Sequence, residues 1–206
     1  MEILQDTDIN QTIEESLKKS LSYSEYRKLV EELTIQNSTT GNDKSEALAE
    51  YTKLNEKRMK RWDKTLKISQ ETQDSIKAIN KKLTWIVLTE SWCGDAAHIV
   101  PVINKVAEIN GNIDLRLVLR DENEDLMNMF LTNGGKAIPK LIAIEKETGN
   151  VINTFGPRPF EAIKLVNKYK EKFGTLTPEF KQDLQVWYNK DKGQNTISEL
   201  QNLLLD

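Results

Sequence analysis

Apolar residues fall into two kinds of pattern along this chain, and the change between them comes at Leu83. Before it, Ile9, Ile13, Leu17 and Leu21 recur at helical spacing. Ser22 and Glu25 are placed to form a capping box, with Leu29, Val30 and Leu33 on the stripe that follows. The polar run 37–42 reads as a loop. A long helix is predicted from about Lys44 to about Leu66, with Leu48, Tyr51, Leu54, Trp62 and Leu66 on its apolar side. Ser69 then caps a further helix carrying Ile76 and Ile79.

From Leu83 to Thr89 the residues are apolar and β-branched on both faces, as in a central strand covered by helices. A tight turn, Ser91-Trp92-Cys93-Gly94, opens a helix with Ile99, Val102, Ile103, Val106 and Ile109 inward. Residues 113–119 form a second strand, and Asp121 is placed to cap the helix after it. A strand begins at Ile138-Pro139, where a proline at a strand start forfeits no ladder donor. The turn 147–150 leads into a fourth strand, 151–155, and Ala162, Ile163, Val166 and Tyr169 lie on a core helix. Thr177-Pro178 starts one tail helix and Asn195 or Thr196 another. The order β-α-β-α-β-β-α from residue 83 predicts an α/β fold: a mixed sheet, part parallel, with a closing hairpin and helices on both faces.

Composition narrows the function classes. The chain has 206 residues, a net charge of −3 and 30% charged residues. The acidic balance argues against general nucleic-acid binding, which needs a concentrated basic face. The basic run Lys57, Arg58, Lys60, Arg61 is diluted by Glu56 and Asp63 and reads as a solvated helix face. One cysteine precludes an intramolecular disulfide, and one histidine leaves too few soft ligands for zinc, so no metal is expected. The first ten residues lack the pattern of a signal peptide, and no apolar run approaches the roughly 20 residues of a membrane span. The expectation is a cytoplasmic protein that binds neither nucleic acid nor membrane.

Trp92-Cys93-Gly94 at a strand-to-helix turn resembles the active-site turn of the thioredoxin superfamily. Three features strengthen the resemblance: Pro101 eight residues after the cysteine, Ile138-Pro139 ahead of the hairpin, and Phe155-Gly156 after the last strand. It covers roughly residues 69–173, leaving 1–68 and 174–206 as helical extensions. The resemblance implies Cys93 as nucleophile, a cis peptide at Pro139, and a substrate groove formed by Trp92, Gly94, Ile138 and Pro139. Trp92 reads as an exposed recognition aromatic. Two departures stand against thioredoxin's two-thiol cycle. Ala96 replaces the resolving cysteine, and Val87 stands where the family buries an acid.

Cys93 at a helix start would have its anion stabilised by unpaired N–H groups, and Asp95 would oppose that. The thiolate is expected to be moderately stabilised; the other reading is a small inert residue in a capped turn. Asp95 and His98 share a helix face, and His98 reads as an exposed imidazole paired with Asp95 or as a proton partner of Cys93. Two functions follow. One is a single-cysteine thiol–disulfide oxidoreductase acting on a protein or small-thiol disulfide. It needs no cofactor, but an external thiol such as glutathione as resolving partner. The other is a redox-inactive protein that binds a peptide or protein through the Trp92/Pro139 groove. The amphipathic N-terminal helices fit a monomer or a homodimer equally.

Overall fold

A computed structural model describes residues 2–205, with side chains from Ile9 onward; Met1 and Asp206, the outer limits of the two expected extensions, lie outside the described residues. Four strands form one sheet in the order β2-β1-β3-β4. β1 (Leu83–Thr89) pairs parallel with β2 (Ile113–Leu119) and antiparallel with β3 (Lys140–Glu145), which pairs antiparallel with β4 (Val151–Phe155). Every residue of β1 is buried, so helices cover both of its faces. Leu21 pairs with Leu117 by two hydrogen bonds of 2.8 Å, covering the free edge of β2 with a single residue.

The helices preceding the sheet are α1 (Glu2–Lys18), α2 (Tyr23–Ile35), α3 (Glu46–Thr65) and α4 (Gln70–Lys77). α2 opens on the expected capping box: Ser22 Oγ accepts the Glu25 N–H, and the Glu25 carboxylate accepts the Ser22 N–H. Ser69 caps α4 through its hydroxyl, which accepts the Thr72 N–H at 3.2 Å. α2 and α3 are clamped by Arg27, which pairs with Glu56 and, at 3.1 Å, with Asp63.

The long helix is present, and Trp62 is buried as expected, but over the first part of the helix the inward side is not the predicted one. Ala49, Thr52, Asn55, Met59 and Trp62 face inward, one residue out of phase with Leu48, Tyr51 and Leu54. Tyr51 remains 47% exposed and Leu54 42%. The physical reason is polar: Thr52 and Asn55 are drawn in to satisfy the Cys93 turn, as described below.

α5 (Ala96–Ala107) connects β1 to β2 and is buried almost throughout, between α3 and α9 (Gln194–Leu205). After β2 a single 3-10 turn, Arg120–Glu122, precedes α6 (Glu124–Met129). Asn123 occupies the N-cap of α6; Asp121, expected there, instead accepts the Asn42 N–H at 2.9 Å. α7 (Phe160–Phe173) and α8 (Pro178–Asp191) follow, and Thr177 caps α8. α9 begins at Gln194, earlier than expected, after the left-handed pair Lys192-Gly193. Side chains from α1, α2, α3, α8 and α9 join those of the sheet in one buried cluster. Each fully buried aliphatic or aromatic side chain in it is worth about 1.5–3 kcal/mol.

Candidate functional site

The chain leaves β1 through Glu90 and Ser91, both buried. Ser91 ties the turn to its surroundings. Its hydroxyl shares hydrogen bonds with Thr52 (2.8 Å), Thr39 (3.1 Å) and Thr40 (3.1 Å). Its N–H donates to Thr40 Oγ1 at 2.8 Å, and its carbonyl accepts from Asn55 Nδ2 at 2.8 Å. The loop 37–42 and α3 therefore fix the turn from one side, with the polar groups of Ser91 satisfied. Gly41 approaches so closely that a Cβ there would lie 2.7 Å from Asp121 Oδ2 and 3.2 Å from Trp92 Nε1. Glu90 accepts the Asp121 N–H through Oε1 at 3.0 Å, and burial pushes its carboxyl above the ordinary range.

Cys93 lies just ahead of α5, whose hydrogen-bond ladder starts when the Ala97 N–H donates to the Cys93 carbonyl at 3.1 Å. Cys93 is 8% exposed, and its sulfur donates to the Ile138 carbonyl at 3.4 Å. The Ile138–Pro139 peptide is cis, so the geometry brings Cys93 and the prolyl loop together. Ile138 and Pro139 are themselves buried. Gly156, at φ +108°, packs against them: a Cβ there would sit 2.2 Å from the Pro139 carbonyl oxygen. The groove expected between Trp92 and Pro139 is consequently closed, and the Ile138 carbonyl already has its partner.

The moderately stabilised thiolate is corrected as well. Burial, reinforced by the Asp95 carboxylate, pushes the Cys93 thiol up to about 12. The N–H groups of Asp95 and Ala96 and the charge of Arg158 pull the other way and lose. Removing an anion from water outweighs two backbone donors at a helix start.

Asp95 and His98 do not pair. Asp95 binds Arg158 at 2.5 Å and accepts the Tyr188 hydroxyl at 2.8 Å. His98 is 2% exposed and lies between α3 and α8. Trp62 Nε1 donates to His98 Nδ1 at 2.9 Å, which leaves the proton on Nε2, 2.6 Å from Gln185 Oε1. Tyr188 stacks on the imidazole, with ring centroids 4.5 Å apart. Burial holds the histidine down at about 3, so it is neutral. With both nitrogens engaged it supplies no proton to Cys93.

An open cleft of about 800 Å³ borders the turn, and neither Ile138 nor Pro139 lines it. Trp92, Cys93, Gly94 and Asp95 form its floor, and α3 and α8 its walls. Arg58 Nη1 and Gln185 Nε2 reach over Gly94 from the two walls, at 3.7 and 3.8 Å from where a Cβ would project. Trp92 is half-buried rather than freely exposed, with the Arg120 guanidinium 4.9 Å from its ring centre. Among the described residues no cluster of three or more His, Cys, Asp or Glu is arranged to hold a metal, and no helix is long and apolar enough to cross a membrane.

Arg158, Tyr188 and Gln185 complete the site and were not singled out in the sequence; Arg58, read there as part of a solvated helix face, is half-buried and lines the cleft. Arg158 follows Gly156-Pro157, so the glycine-proline break was a usable signal. Tyr188 and Gln185 sit on a tail helix whose pattern is that of any amphipathic segment.

No curated protein matches the chain. Two solved structures share its fold: a protein of unknown function from Pseudomonas aeruginosa, crystallised to 1.5 Å, and an HIV epitope-scaffold. Each has a TM-score of 0.56 and 16% identity over 89% of this chain, covering 97% and 98% of its own length respectively. A family model described as thioredoxin matches residues 41–170, a span that reaches upstream of the expected domain to include α3. The match takes in well over half of the sequence, with Cys93, Pro139 and Gly156 inside it, and the chain belongs to the thioredoxin family.

Proposed function

We propose that this protein uses the thioredoxin fold for binding, holding a segment of a protein partner in the cleft above Trp92, Cys93 and Gly94, and does not turn over disulfides. The state of the Cys93 sulfur carries this reading. It is buried, its proton is engaged by the Ile138 carbonyl, and its pKa is pushed up to about 12. The thiolate fraction at pH 7 is then far below the few per cent of a free cysteine. The higher intrinsic nucleophilicity of a high-pKa thiolate recovers only part of that loss, since the Brønsted slope is about 0.4–0.5. Ala96 offers no second sulfur to release a captured substrate.

A single-cysteine oxidoreductase is the second reading, favoured by one observation: the sulfur borders the open cleft. In that cycle the Cys93 thiolate attacks a substrate disulfide, forming a mixed disulfide and expelling the other sulfur as a thiolate. An external thiol such as glutathione then attacks the mixed disulfide and regenerates Cys93.

Iodoacetamide labelling of Cys93 against pH, together with turnover of a peptide–glutathione mixed disulfide, separates the two. The expected result is a labelling midpoint well above the ordinary cysteine value, with no turnover. A midpoint at or below about 8.5, with turnover abolished in Cys93→Ser, establishes the oxidoreductase and overturns the binding reading.

A further inference from the structure

α3 carries two adjacent stripes. One is buried in the core; the other, one residue out of phase, runs Tyr51, Leu54, Arg58, Arg61 and forms a wall of the cleft. Lys181 adds a third cation from α8, and Val186, 44% exposed, faces the cleft from the same helix. Asp95 is the one carboxylate on this lining, and it is consumed by Arg158 and Tyr188. Among the described residues, Arg58, Arg61 and Lys181 form no salt bridge. Arg58 donates to the neutral Asn55 Oδ1, and Arg61 to the neutral Asn189. The two guanidiniums repel one another, and Arg58 is partly buried, so burial and that repulsion both disfavour its charge. In a chain of net charge −3 with 32 acidic residues, this leaves a local excess of positive charge whose one nearby carboxylate, Asp95, is engaged by Arg158.

We infer that the cleft selects an acidic segment of another protein that also bears apolar side chains, its carboxylates meeting Arg58, Arg61 and Lys181 and its apolar groups meeting Tyr51, Leu54 and Val186. This rests on the binding reading above and names its partner class. A carboxylate brought to Arg58 relieves the repulsion and replaces the water lost on burial, which is where electrostatic complementarity gains the most. The apolar wall and the small number of cations fit a peptide better than a nucleic-acid strand, whose binding needs a continuous basic track with stacking platforms.

The test is selection from a random dodecapeptide library on the full-length Cys93→Ser protein, so that covalent capture is excluded, followed by fluorescence titration of the enriched peptides. The expected binders carry net negative charge together with Leu, Phe, Tyr or Met. Their affinity falls about tenfold between low salt and about 0.3 M KCl. Arg61→Glu with Lys181→Glu weakens them tenfold or more, whereas Lys60→Glu, on the same basic run but off the cleft, changes affinity less than twofold; circular dichroism confirms that each variant is folded. Enriched peptides that are neutral or basic, or that ignore Arg61→Glu/Lys181→Glu, overturn the acidic-partner inference and leave the binding reading standing. No enrichment at all, tighter binding of a single-stranded oligonucleotide, or self-association of the chain through this cleft overturns both.

Discussion

The two flanks of the Cys93 turn are built from different materials. On one side the sulfur meets the Ile138 carbonyl, and behind it Gly156 packs against the Pro139 main chain. On the other side the same turn is roofed by side chains of α3 and α8, with open space between them. The first flank is the geometry the family resemblance implies, yet it is shut. The second involves α8, which lies outside the matched span, and it is open. Keeping a family's active-site geometry is thus compatible with moving the accessible surface elsewhere. Position in a motif says where a residue sits, and its neighbours decide what it does.

The sharpest way to break this contrast is Gly156→Ala. A methyl group placed 2.2 Å from the Pro139 oxygen, at a φ that disfavours side chains, forces the closed flank apart. The expected cost is on the order of 3–5 kcal/mol, read as a lowered midpoint in urea unfolding. A loss below about 1 kcal/mol would mean that the flank yields easily and is not a wall.

The open flank is pinned by His98 between Trp62 and Gln185, which makes it pH-sensitive. Its folded pKa of about 3 lies below the ordinary 6.5, so the neutral form is the native one. The stability that depends on it is complete above about pH 6.5 and is lost as pH falls toward 3. At pH 5 the deficit is about 2 kcal/mol. Urea unfolding at pH 7 and pH 5 should show this loss in the wild type beyond that in His98→Gln. Equal losses in the two proteins would exclude the histidine as the cause.

Asp95 sits where the flanks meet, and the smallest of these effects is the one its removal has on the Cys93 thiol. Its carboxylate is the second cause, after burial, of the raised Cys93 pKa. Asp95→Asn leaves Arg158 unopposed beside the sulfur. Iodoacetamide labelling at pH 8 should accelerate several-fold; an unchanged rate would show that burial alone keeps the thiol protonated.

Much of this architecture is legible in the sequence because it rests on local rules. The capping box at Ser22, the caps at Ser69 and Thr177, and the buried strand Leu83–Thr89 each depend on residues within one turn or one strand of each other. The inward phase of α3 does not. Hydrophobic spacing favours Tyr51 and Leu54, but the core takes Thr52 and Asn55, because Ser91, some 40 positions away, requires polar partners. The same holds for Asp95. Its sequence neighbour His98 is the obvious partner, whereas its actual partners, Arg158 and Tyr188, are brought in by β4 and α8. Polar pairing across distant elements leaves no periodic trace, and this site is made of it.

The arch of Arg58 and Gln185 over Gly94 has a kinetic corollary. Both are long side chains, held by hydrogen bonds to Asn55 and His98, so the aperture above Gly94 widens when a side-chain hydrogen bond breaks and a rotamer changes, with no movement of the main chain. Entry past Gly156 would require displacement of packed main chain, orders of magnitude slower. A small reagent arriving at Cys93 therefore meets a fast gate on one side and a slow barrier on the other, and the side-chain gate sets its rate of approach.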